Sequence, residues 1–215
     1  SDADQIDLVL SLDHADLSLL PMFSKNVEWA LGHTEGNLTI RGSLAAPRVD
    51  GTLNIKDGAV KIKGIETPIT DMQVQIDALG DTIAVRTCTG RMGTGGYMLT
   101  GKAALGSAHP SAYDFTLVMN ALTVKSSFYD GPLSGSLKLT EGEFWGEKLP
   151  KISGNIDVDR VLVSIPSIPE TGDELPNLIL DIDLTVGRHV HFFSPNLYDM
   201  HPSGAVHFGG TTHHP

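Results

Sequence analysis

A chain of 215 residues with 23 Gly and 12 Pro carries a helix breaker at about every sixth position, a density that excludes long helices and with them all-helical and Rossmann-type architectures. Charged residues make up only 19%, too few for a charge-driven disordered chain. The 26 acidic residues against 15 Lys and Arg give a net charge of −11, which lacks the basic footprint that phosphate neutralisation demands, so no nucleic-acid partner is expected.

In chain order, the first element predicted is a strand in which Ile6, Leu8, Leu10 and Leu12 alternate with Asp7, Val9 and Ser11. A short helix follows around Asp16 to Ser24: Asp16 caps it, Leu17, Leu20 and Phe23 share a face, and Pro21 keeps it short. Period-two runs then recur at Leu38–Ile40, Leu53–Ile55, Met72–Ile76, Ile83–Val85, Phe115–Met119 and Leu137–Leu139. The longest joins Leu178, Leu180, Ile182, Leu184 and Val186, with Asp181, Asp183 and Thr185 between them. Turns are predicted at Lys56-Asp57-Gly58, Leu79-Gly80-Asp81, Gly93-Thr94-Gly95-Gly96 and Tyr129-Asp130-Gly131-Pro132, and an extended loop at the Pro-rich stretch Ile165–Glu174. Strict alternation puts the apolar side chains on one sheet face and the acids on the other. The fold class expected is all-β: an elongated, curled antiparallel sheet with one short helix near its start. No stretch reaches the roughly 20 apolar residues of a membrane span, and no signal peptide opens the chain.

Self-comparison reveals a repeat. Gly36–Pro47 aligns without a gap on Gly204–Pro215: Gly, apolar residues two and four positions on, Gly at plus six, Pro at plus eleven. Its continuation, Pro47–Ile55, matches Pro150–Val158, and a third Gly-strand, Gly135–Leu139, precedes that second copy. The unit is strand, Gly-Pro corner, strand. By this pattern another strand is expected after Pro215, and residues 1–215 are expected to be a single fragment of a longer repetitive protein.

Chemistry-bearing motifs are scarce. The single cysteine, Cys88, excludes a disulfide framework and a Cys-rich zinc site. Six of nine His fall between 189 and 214, yet no His-Glu-x-x-His is present, and His213-His214 replace Ala45-Ala46 at a repeat corner. They read as polar-face or loop histidines, and no metal or other cofactor is expected. No Gly-x-Ser-x-Gly elbow occurs, and Gly90–Gly96 lacks the Lys and the helix of a phosphate loop. Asp181 and Asp183 lie on a regular alternating face where solvated acids belong, so a non-enzymatic protein is expected.

The pattern Gly-x-[apolar]-x-[apolar]-x-Gly-x4-Pro-x-[Val/Ile]-x-Gly-x-[Leu/Ile]-x-[Ile/Val] resembles the strand repeat of the TamB (translocation and assembly module) family, within the AsmA-like group. The order of features along nearly the whole chain is similar too, from the strand and Leu-rich helix at Asp16–Phe23 to the Leu-Asp-Ile-Asp-Leu-Thr-Val-Gly run at 180–187. The resemblance implies a periplasmic protein anchored in the inner membrane by an amino-terminal helix outside these residues. Its sheet would curl into an open trough, a β-taco. It also implies phospholipid or other acyl-chain cargo moving between inner and outer membrane, and outer-membrane protein (autotransporter) assembly with a TamA/Omp85-type barrel as partner. One apolar face with no helix to cover it must close on itself or hold an apolar ligand. The residues expected to line the trough are Leu8, Leu10, Leu12, Leu38, Ile40, Leu53, Ile55, Val74, Ile76, Leu180, Ile182 and Leu184. Self-association through free strand edges is expected as well. The competing reading is a structural or adhesin-like β-repeat that binds proteins by those edges.

Overall fold

A computed structural model describes residues 5–43, 46–105, 112–164, 176–194 and 198–213. The Pro-rich stretch Ile165–Glu174, and His214 and Pro215, thus lie outside the described residues. The chain is all-β. Strands β1 (Gln5–Asp16), β2 (Val27–Ser43), β3 (Ala46–Ile62), β4 (Ile69–Leu79), β5 (Thr82–Met92), β6 (Gly95–Ala104) and β7 (Tyr113–Lys125) come first. Then follow β8 (Tyr129–Phe144), β9 (Glu147–Val158), β10 (Val161–Ser164), β11 (Ile179–Val186), β12 (Val190–Ser194), β13 (Tyr198–Met200) and β14 (Gly204–Thr211). Between β1 and β2 sits the expected short helix: a 3-10 turn at Leu17–Leu19 running into α1 (Leu20–Phe23). Asp16 caps it by accepting a hydrogen bond from the Ser18 amide at 2.9 Å, and Pro21 lies in the first turn.

The contacts divide the chain into two compact units. The first comprises Ser1–Ile62, Ile69–Arg91 and Met98–Thr116, the second Lys63–Pro68, Met92–Tyr97 and Leu117–Pro215, so that β5, β6 and β7 contribute residues to both. In the first unit β1, β2, β3 and β4 pair antiparallel in sequence order. Here the packing is between sheet neighbours and between β2 and the helical turn. In the second unit β8 pairs with β9 and β10 antiparallel, while β11 lies against β9, β12 against β10, β14 against β11 and β13 against β12.

Three sequence expectations need correction. Lys56-Asp57-Gly58 is not a turn: β3 runs straight through it, and the register with β4 shifts there while Asp57 takes φ +52°. An Asp-Gly pair serves a β-bulge as well as it serves a hairpin, since both need a residue tolerant of positive φ. Likewise Tyr129–Pro132 begins β8 rather than ending a strand, the reversal lying at Ser126–Phe128. Finally, β11 runs parallel to β9 and β12 parallel to β10, whereas β1 to β4 in order, β8 with β9 and β10, β11 with β14 and β12 with β13 all pair antiparallel. A parallel neighbour requires a crossover, which alternation within each strand does not encode.

The second unit contains a line of bulges. From the pair Leu133–Val158 to the pair Asp130–Leu162, β8 advances three residues and its partner four, so β9 and β10 form one kinked strand with an extra residue at Asp159–Arg160. The same holds from Val158–Val186 to Val161–Val190, which places the next extra residue at Gly187–His189. Such bulges bend the strands and sharpen their twist. The kink is stapled: the Gly187 amide donates to the Val158 carbonyl at 2.8 Å, and the His189 amide donates to Asp159 Oδ1 at 3.2 Å. Val161 and Val190, paired just beyond the kink, are among the most deeply buried side chains.

Candidate functional site

Register turns the alternation into rows. Directly opposed residues share a sheet face, so the pairings of the first unit align Leu8–Ile40–Val49, then Leu10–Leu38–Gly51–Ala78, then Leu12–Gly36–Leu53–Ile76, then Thr34–Ile55–Val74. All nine residues expected to line a trough in this unit fall on that one face. In the second unit the rows are Leu139–Ile152–Leu180–Gly210, Leu137–Gly154–Ile182–Phe208, Gly135–Ile156–Leu184–Val206 and Leu133–Val158–Val186–Gly204. Leu180, Ile182 and Leu184 therefore sit on a second four-row apolar face.

The repeat reappears in three dimensions. In β2–β3, Gly36 opposes Leu53 and Gly51 opposes Leu38; in β8–β9, Gly135 opposes Ile156 and Gly154 opposes Leu137. Gly51 and Gly154 adopt φ +137° and +134°, and a Cβ on either would run into the backbone carbonyl of Asn37 or Ser136 across the ladder. Only glycine permits strands to approach so closely in that conformation. Gly42 and Gly210, aligned by the repeat, share φ +99° and +98°.

None of the twelve residues is fully buried, and Leu8 and Leu10 keep 50% and 39% of their surface exposed. On β14, Val206 and Phe208 are 50% and 47% exposed. A sealed sandwich core would bury such side chains. The alternate face is polar. Arg41 meets Asp7 at 3.5 Å, Ser11 donates to Asn37 at 2.8 Å and Lys56 binds Glu35 at 3.0 Å in the first unit. Lys151 binds Asp181 at 2.6 Å and His207 meets Asp183 at 2.8 Å in the second.

These contacts set the titration. Lys56, through its hydrogen bond and then its charge, holds the Glu35 carboxyl below its usual range, and Lys151 does the same for Asp181. Asp159 is lowered chiefly by the His189 amide. A carboxyl depressed in the folded state contributes stability that is complete above the unfolded pKa and lost as pH falls through the folded one. All three pairs are solvent-exposed, so the effect is modest. The urea midpoint is expected to decline as pH is lowered from about 5 to about 3. Lys151→Met should flatten part of that decline; a midpoint constant or rising over this interval contradicts the assignment.

Two features escaped the sequence. An apolar cleft of about 380 Å³ opens in the second unit, lined by Ile65, Val124, Phe128, Tyr129 and Leu133. Burial pushes the Tyr129 hydroxyl up to about 12, and that hydroxyl donates to the Pro132 carbonyl at 2.8 Å. The other is a cluster of His191, Asp199 and His201, each with one ligand atom, all within 4.8 Å of one another. Asp199 lies in β13 and His201 just beyond its end, two residues further on. His191 joins them only through the β12–β13 register.

No family model matches the chain, and no solved structure matches it. The chain is similar to Protein SUBSTANDARD STARCH GRAIN 4, chloroplastic, of Oryza sativa subsp. japonica, at 22% identity over 92% of this chain. It spans 12% of that relative's length.

Proposed function

We propose that this chain is a non-enzymatic β-repeat segment of a TamB-like periplasmic bridging protein. Its apolar faces shield acyl chains of phospholipids passing between inner and outer membrane, and the whole protein serves outer-membrane protein assembly with a TamA/Omp85-type barrel. The observation that supports this reading is the pair of four-row apolar faces whose large side chains remain part exposed. Each methylene withdrawn from water gains about 0.8 kcal/mol, and rows repeating along a strand offer a sliding chain many near-equal steps. Charged headgroups stay in water beyond the apolar rows.

Native mass spectrometry of gently purified protein tests the proposal. Co-purified phospholipid, displaced by added fatty acid, is the expected result; a lipid-free mass that takes up neither fatty acid nor detergent overturns it. The reading as a strand-edge binder draws on β1, a twelve-residue strand that among the described residues pairs with β2 alone and along one edge only. That reading predicts the lipid-free mass together with self-association.

A further inference from the structure

We propose that His191, Asp199 and His201 form a binding site for a divalent transition cation of the zinc class. Three features carry it. The ligand types are right: two imidazoles and one carboxylate are the donor set of many three-ligand zinc sites, with water completing the tetrahedron. The geometry is close. His191 Nε2 lies 2.7 Å from Asp199 Oδ1, and the two imidazole rings stack with centroids 4.6 Å apart and planes 18° from parallel. A tetrahedral ion with ligand bonds of about 2.0–2.2 Å needs its donor atoms roughly 3.3 Å apart. Donor atoms now within 4.8 Å of one another reach that spacing by side-chain rotation, which the exposure of Asp199 and His201 leaves free.

The third feature is position. Paired residues of β12 and β13 sum to a constant register, and continuing it by one step sets His191 opposite His201. This is where the ladder is interrupted, between the pair Val186–Gly204 and the pair Phe192–Met200. The backbone of 201–203 belongs to neither strand. β13 has three residues and, among the described residues, pairs with β12 alone. An ion bridging His191 to Asp199 and His201 would clip this outermost strand across the gap left by the line of bulges.

The probe is zinc ion alone, titrated calorimetrically into the intact chain, with cobalt(II) absorption as a report of tetrahedral nitrogen and oxygen ligation. One equivalent is expected to bind, and hydrogen exchange at 198–200 is expected to slow when it does. His191→Gln, Asp199→Asn and His201→Gln should each weaken binding at least about tenfold, whereas His189→Gln and His207→Gln should leave it unchanged. Asp199→Asn preserves shape, so a folded variant remains available if either His substitution loosens the hairpin. Failure to bind zinc overturns the proposal. So does binding that survives all three ligand substitutions, or that is lost in the His189 or His207 variant; the cation then sits elsewhere or nowhere.

Discussion

Ile182→Asp is expected to leave the chain folded while abolishing its contact with acyl chains. Ile182 lies in the row Leu137–Gly154–Ile182–Phe208, in the middle of β11. In a sealed core an unpaired carboxylate there would cost several kcal/mol, a large share of the stability of an ordinary domain. On a face where the neighbouring Phe208 is 47% exposed, the carboxylate reaches water, and the cost falls to about 1 kcal/mol, that of a poor strand former. Acyl chains, however, would meet a hydrated charge in the second of four rows. Thermal melting and photo-crosslinking to a lipid carrying a reactive acyl tail, measured on the same variant, separate the cases. A small melting shift with lost crosslinking supports the proposed function. Wholesale unfolding means a closed core, and undiminished crosslinking means that Ile182 does not touch the cargo.

Gly154→Val should be the most damaging single substitution in β9. At φ +134° any side chain is strained by about 1–3 kcal/mol. The added Cβ also meets the Ser136 carbonyl and comes within 3.1 Å of Leu137 Cα, backbone atoms that cannot swing aside. Overpacking of that kind adds roughly another 1–3 kcal/mol. Gly204 provides the control: its φ is +140°, yet nothing lies within 4 Å of where its Cβ would be, so Gly204→Val incurs the strain alone. Urea midpoints should therefore fall clearly further for Gly154→Val than for Gly204→Val. Equal midpoints would mean that the close approach of β8 and β9 contributes nothing.

The all-β class was legible because one physical rule, alternation against a two-sided solvent, governs nearly every strand. Leu10-Ser11-Leu12 and Leu180-Asp181-Ile182 announce their faces without any partner. What local sequence could not resolve was the use of a positive-φ residue. Asp57-Gly58 and Asp130-Gly131 look like hairpin turns, but the first bulges β3 and the second lies inside β8. Nor could it reveal neighbours across the sheet. The parallel docking of β11 on β9 depends on which edge of the sheet remained free, and the meeting of His191 with Asp199 and His201 depends on a register fixed by the residues around them. Spacing along the chain shows Asp199 and His201 as one pair; the third member comes from the fold.

The matched glycines of β2–β3 and β8–β9 bear on how such a protein can change over generations. A hairpin that brings its own close-approach notches needs nothing from its neighbours except an open edge of matching pleat. Whole hairpins can therefore be duplicated or lost while the oily and wet sides of the sheet keep their identity. Within a strand the tolerance is narrower and arithmetical. Inserting or deleting two residues shifts a row and preserves sidedness, whereas a single residue exchanges Leu180, Ile182 and Leu184 with Asp181, Asp183 and Thr185. Descent in this lineage should leave its insertions and deletions in even steps inside strands, with odd ones confined to bulges and turns.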